Sequence, residues 1–205
     1  MNIKMSKSGC KMKKVLMPLL LGTSLLSARG EWYYGLNGLH DENGRSPSDA
    51  ELAQITSVEI PEGFLSIVDG AFAGCRSLKT IKIPEGVLTI GEYAFDGCNS
   101  LETIELPEGL LVIAEGAFRG CSSLKTIKIP EGVKSIGAQA FENCSSLKYS
   151  VIPDSVKTIG DNAFRGCTSL KAIKISEKFY EGKDKDAENA RMGIDSTQCT
   201  VNYRE

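Results

Sequence analysis

The sequence predicts a β-rich solenoid of 23-residue units closed by N- and C-terminal caps, and three observations carry that prediction. Phe72, Phe95, Phe118, Phe141 and Phe164 fall 23 residues apart, as do Cys75, Cys98, Cys121, Cys144 and Cys167, and as do Pro61, Pro84, Pro107, Pro130 and Pro153. Triplets such as Ile81-Lys82-Ile83 alternate with the period of a half-buried strand. A glycine, or once Asn143, recurs at a fixed place after each phenylalanine, which marks a left-handed stop.

Residues 1–30 read as an export signal. Lysines precede the apolar run 15–21 and Leu25-Leu26, and Ala28-Arg29-Gly30 has the form of a cleavage site that leaves Glu31 first. Pro18 and Gly22 interrupt an apolar run already short for a bilayer span; an uncleaved anchor is the alternative. Met12 is a second candidate start, and Cys10 lies on the wrong side of the run for a lipoprotein cysteine. No second hydrophobic span follows, so the mature chain is expected to lack a transmembrane segment and to be secreted or held at a cell surface.

Residues 31–54 are expected to cap the first coil, because a solenoid exposes apolar residues at its ends. Trp32, Tyr33 and Tyr34 supply apolar cover; their alternative use is a ligand patch. Asn37-Gly38 and Asn43-Gly44 are turn signals. Ser46 and Pro47 read as N-cap and first residue of a short helix running to about Gln54. Asp41, Glu42 and Asn43 lack the spacing of a calcium loop.

Units begin at Ile55, Leu78, Leu101, Leu124 and Leu147, with a partial sixth at Leu170, so the solenoid spans residues 55–176. In four units the strand is stopped by Pro-Glu-Gly, read with proline second and glycine fourth in a turn; the fifth has Pro153-Asp154-Ser155, and a type I turn tolerates serine in place of the glycine. Val87 and Ile90 mark a second extended segment, and residues 94–96 a tight helical turn on the outer side, ended by Gly97. The Gly91 position is expected to accept a modest side chain, since Val68 and Ala114 occur there. One unit does not fold alone, because ordering each residue costs about 1–2 kcal/mol. Stacking buries the phenylalanines as an internal spine.

The pattern Ile-Pro-x-x-Val-x-x-Ile-x-x-x-Ala-Phe-x-x-Cys-x-x-Leu, clear at 83–101 and 129–147, resembles the BspA-like, or Treponema-type, leucine-rich repeat. The resemblance covers about 120 of the 205 residues. It implies a right-handed solenoid, usually on exported or surface proteins of host-associated bacteria, with relatives in some protozoa. Several members resemble adhesins for host matrix and plasma proteins or other microbes.

Parallel stacking places like positions about 4.8 Å apart. One outward column then reads Glu59, Lys82, Glu105, Lys128, Val151, Lys174, and its neighbour Ser57, Thr80, Thr103, Thr126, Tyr149, Ala172. This face is either a solvated sheet laced by cross-strand pairs or a docking surface, with Tyr149, Val151 and Ala172 as an apolar spot. In the fifth unit Ser150 stands where others have an inward isoleucine; it is expected to find a backbone partner, the alternative being a local strand shift. A column of five cysteines cannot pair fully, so buried free thiols are expected rather than disulfides. Their spacing fits no zinc site.

Residues 177–205 are expected to cap the last coil, with a helical stretch at 184–191 and a strand-like alternation at 199–203. Residues 1–30 carry six of the 24 basic residues and no acid, which leaves 18 against 26 acidic, a net of −8. That balance argues against a nucleic-acid partner. The chain has one histidine, His40, and no nucleophile, metalloprotease or phosphate-loop motif; no catalytic residue, metal or cofactor is expected. The sequence is therefore read as an exported protein-binding module, and the resemblance implies that it is adhesin-like, toward a host matrix or plasma protein or another microbe's surface. A structural or self-assembling surface component is the alternative.

Overall fold

In the parallel β-solenoid that the chain forms, each 23-residue unit makes one coil, and three strips of backbone hydrogen bonds join the coils. The computed structural model describes residues 33–35, 38–40, 45–60 and 62–204, with Tyr33–Gly35, Glu59 and Arg204 described by backbone alone. The expected export signal, Trp32, the rings of Tyr33 and Tyr34, and the turn at 41–44 lie outside the described residues.

The first strip is the main sheet. Its strands are β3 (Ser57–Glu59), β5 (Thr80–Lys82), β7 (Thr103–Ile104), β9 (Thr126–Ile127), β11 (Tyr149–Val151), β13 (Ala172–Ser176) and β14 (Thr200–Arg204). β3 pairs with β5, and β7 to β14 form one five-stranded parallel sheet; a single Lys82–Glu105 bridge joins the two pieces. The second strip holds β4 (Ser66–Ile67), β6 (Thr89–Ile90), β8 (Val112–Ile113), β10 (Ser135–Ile136) and β12 (Thr158–Ile159), with Ile67, Ile90, Ile113, Ile136 and Ile159 in register.

The third strip runs along the turns. The expected helical turn is a string of tight turns in which alternate N–H groups serve different coils. Ala94 and Asp96 donate back to Gly91 and Tyr93, while Tyr93, Phe95 and Gly97 donate forward to Glu115, Ala117 and Arg119 at 2.8 to 2.9 Å. A continuous helix would use every N–H inside its own segment. The left-handed stops are present in all five units: Gly74, Gly97, Gly120 and Gly166 have φ of 77°, 70°, 71° and 73°, and Asn143 has 59°.

Inside, the five phenylalanine rings stack with centroids 5.2 to 5.5 Å apart. All five are fully buried, flanked by the leucine, isoleucine and cysteine rows. The six described cysteines are free. Cys98, Cys121, Cys144 and Cys167 each donate Sγ–H to the phenylalanine carbonyl of the preceding coil at 3.2 Å. Burial pushes the Cys75 and Cys167 thiols up to about 12 and lifts Cys98, Cys121 and Cys144 well above the ordinary thiol value.

Four local expectations are corrected. Val87, Leu110, Val133 and Val156 donate to the carbonyls of Pro84, Pro107, Pro130 and Pro153, so proline stands first in the turn and glycine third. Proline ends the strand but keeps a free carbonyl to accept the closing bond. The Gly91 position carries a side chain in the coils of Val68 and Ala114 but not in all, since a Cβ at Gly137 or Gly160 would lie 2.4 Å from Glu115 N or 2.2 Å from Ala138 N, where backbone touches backbone. Helix α1 (Asp49–Leu52) starts after Ser48, not Ser46, because Ser48 and Glu51 form a capping box and Arg45 clamps Glu51 at 3.0 Å. Finally, Ser150 is 1% exposed and its Oγ has no hydrogen-bond partner. β11 stays in register with Thr126 and Ala172, so the neighbouring backbone groups are committed to the ladder and none turns to the hydroxyl.

At the ends, β1 (Tyr33–Gly35) and β2 (Gly38–His40) form an antiparallel hairpin that buries Leu39. After β13, helix α2 (Lys185–Arg191), with Asp184 as its N-cap, leads to β14. Phe164 N–H donates to Met192 carbonyl at 2.9 Å, which continues the third strip one coil further.

Candidate interaction face

Because β3 to β13 keep one register, side chains alternate between the core and one outward face. Thr80, Thr103, Thr126 and Tyr149 stand on that face, with Tyr149 paired to Thr126 on one side and Ala172 on the other. Tyr149 is 44% exposed, while Val151, Ala172 and Lys174 are half-buried beside it. Glu59 aligns with Lys82, Lys82 with Glu105, and Val151 with Lys174. The structure thus brings Tyr149, Val151, Ala172 and Lys174 together on adjoining strands. Lys82 and Glu105 instead line a groove of about 380 Å³ between the second and third coils, with Thr80, Thr103, Pro84 and Pro107.

The expected charge ladder holds in position but not in partners. Lys128 donates to Glu108 at 2.7 Å, not to Glu105, and Lys125 pairs with Glu102 in the next column. Both pairs are well exposed, so water and salt screen them and neither does much to hold the coils together. The lysine stem has enough reach to choose among several carboxylates that the register leaves at similar range.

Two surface features escaped the sequence reading. Leu65, Leu88 and Leu111 are 65%, 38% and 40% exposed and form a stripe continued by Lys134 and Lys157, each residue donating its N–H to the carbonyl of the one before. Their 23-residue step was visible but was masked by the inward Val87 and Leu110 beside them. On the turn strip Tyr93 adopts φ of 53°, donates its hydroxyl to Glu115 at 2.6 Å and lies under Arg119, which grips Asp96 with two bonds. That bond and the Glu115 charge raise the Tyr93 phenol above its ordinary value.

Among the described residues no group of three or more His, Cys, Asp or Glu could hold a metal ion, and no helix is long and apolar enough to cross a membrane.

The chain is similar to several solved solenoids. It is 41% identical to a leucine-rich repeat protein of T. pallidum over 58% of each chain, with a TM-score of 0.57. A Bacteroides ovatus leucine-rich repeat protein matches at 31% identity over 75% of this chain and 45% of its own, TM-score 0.55. A leucine rich cell surface protein of Faecalibacterium prausnitzii matches at 28% over 82% and 41%, TM-score 0.56. The chain thus spans about 41 to 58% of the length of these proteins. No curated protein matches it. The BspA type leucine rich repeat region matches in six copies, over residues 50–171 and 134–185, through every coil that carries the outward face. On that repeat, and on the stacked coils it folds into, the chain belongs to the BspA-type leucine-rich repeat family.

Proposed function

We propose that the protein is an exported protein-binding module, adhesin-like, that engages a host matrix or plasma protein, or another microbe's surface protein, through the outward face of its main sheet. The observation that carries this reading is Tyr149, a large aromatic left 44% exposed between Thr126 and Ala172 on a broad sheet. Exposed aromatics of this kind are frequent binding hot spots. Glu59, Lys82, Glu105 and Lys128 continue the face toward the first coils. Export is supported by the form of residues 1–30 and by the likeness to a cell surface protein at 28% identity.

The test is a capture experiment from host plasma, matrix and bacterial envelope fractions with wild-type and Tyr149→Ala protein as baits. A partner held by the wild type and lost with Tyr149→Ala supports the reading; identical captures remove Tyr149 from the site. Empty captures with self-association in sedimentation favour a self-assembling surface component, for which the exposed leucine stripe argues. N-terminal sequencing of the secreted protein is expected to begin at Glu31; an intact Met1 or Met12 overturns cleavage.

A further inference from the structure

We infer that the surface which docks on this face is an acidic protein segment, seated on Lys148, Lys171 and Lys174 around Tyr149; this rests on the sheet-face reading above. Charge is polarised along the solenoid. Residues 55–123 hold ten acidic and four basic residues, a net of −6, while residues 124–176 hold eight basic and four acidic, a net of +4. The two signs meet on the face at the Lys125–Glu102 and Lys128–Glu108 pairs. Beyond that junction the lysines have no such partner. Lys148, Lys171 and Lys174 have no carboxylate within 4.0 Å among the described residues.

The backbone holds these charges close. Lys148 N–H donates to Lys125 carbonyl, and Lys171 N–H to Lys148 carbonyl, at 3.1 and 3.0 Å, so their side chains leave neighbouring coils just ahead of β11 and β13. Lys174 stands beside Val151. Among the residues whose side chains are described, the last strand adds Thr200 and Asn202 to this face, both exposed and neutral. Like charges on adjoining strands destabilise a sheet, and an anionic partner relieves that repulsion. The apolar centre of Tyr149, Val151 and Ala172 decides which anion. A sulfated polysaccharide offers little apolar surface to cover it, whereas a protein segment with carboxylates around a hydrophobic side chain matches both parts. A second copy of this chain is a poorer match, since Glu102 and Glu108 are engaged and Lys79 and Lys82 interleave with the acids of its own face.

The experiment is fluorescence anisotropy of the full chain with a labelled dodecapeptide of Glu-Glu-Leu repeats, its Gln-for-Glu counterpart and a labelled heparin fragment. The acidic peptide is expected to bind, and to weaken about tenfold between about 50 and about 500 mM salt. K148E/K171E/K174E is expected to abolish binding, and the milder K148Q/K171Q/K174Q to weaken it, with circular dichroism confirming the fold of both. K134E/K157E, in the same basic half but beside the second strip, is expected to leave it unchanged. Equal binding of the Gln peptide, unchanged binding by the triple variants, preference for heparin, or binding lost to dimerisation in sedimentation each overturns the inference. If Tyr149→Ala abolishes capture while the lysine variants do not, the face reading stands and this inference falls; if neither does, both fall.

Discussion

The coils of residues 55–123 and those of 124–176 share one interior and present opposite exteriors. Phe72, Phe95 and Phe118 stack as Phe118, Phe141 and Phe164 do, ring upon ring, and the thiols of both halves donate to phenylalanine carbonyls. Outside, Leu65, Leu88 and Leu111 give way to Lys134 and Lys157, and a net of −6 becomes +4. An interior position must fit the coil before and the coil after, so one change disturbs two contacts. An exterior position answers mainly to water, and it is free to differ from coil to coil.

The sharpest test of the shared interior is a matched pair of truncations. Phe95→Ala and Phe141→Ala, one in each half and each with rings on both sides, are expected to cost about 3–5 kcal/mol apiece in urea denaturation and to differ by less than about 1 kcal/mol. A larger gap breaks the equivalence. Next comes the tight backbone contact. Gly160→Ala is expected to lose about 1–3 kcal/mol because its Cβ would meet Ala138 N at 2.2 Å, while the first half already carries Ala114 at the equivalent place.

Ser150 puts a hydroxyl into an otherwise aliphatic inward row. Ser150→Val is expected to raise stability by about 1–2 kcal/mol, by removing a buried hydroxyl without a partner and adding apolar contact. A loss of stability would overturn the reading of Ser150 as an unpaired buried hydroxyl.

The smallest effect is on pH. A raised folded-state thiol pKa gives stability that is complete below the ordinary thiol value near 9 and is lost as pH rises toward the folded value, about 12 for Cys75 and Cys167. The urea midpoint is therefore expected to fall above about pH 9, alike for thiols of both halves, and Cys98→Ala with Cys121→Ala to flatten that fall. A thiol reagent near neutral pH is expected to react little with the folded chain and with several equivalents after unfolding.

Period alone made the interior legible. Phenylalanine, cysteine and glycine columns are fixed by repetition, and Asn143 in the glycine column revealed the left-handed backbone that its φ of 59° displays. A second left-handed column, Gly70, Tyr93, Gly116, Gln139 and Asn162, was hidden because tyrosine and glutamine seldom adopt that conformation. The start of α1 turned on a side-chain contest, in which the two bonds that Ser48 donates, from its N–H and its hydroxyl, to the Glu51 carboxylate outweighed Pro47 at a first helical position. On the face, register was legible and ion pairing was not, since Lys128 reaches Glu108 across an exposed surface where solvent screening leaves alternative partners nearly equal. Strand β14 pairs with β13 at a step of 28 residues rather than 23, because α2 lengthens the path, and no period announces that.

A shared register has a consequence for how such a molecule changes length. Every middle coil offers to its follower the same carbonyls that it takes from its predecessor, so residues 101–123 could be copied once more with all these bonds remade. A lone extra residue inside a strand would swing the inward row out to water and orphan the spine. Growth and shrinkage are thus quantised in whole turns, and each added turn brings a fresh strip of surface free to acquire its own specificity.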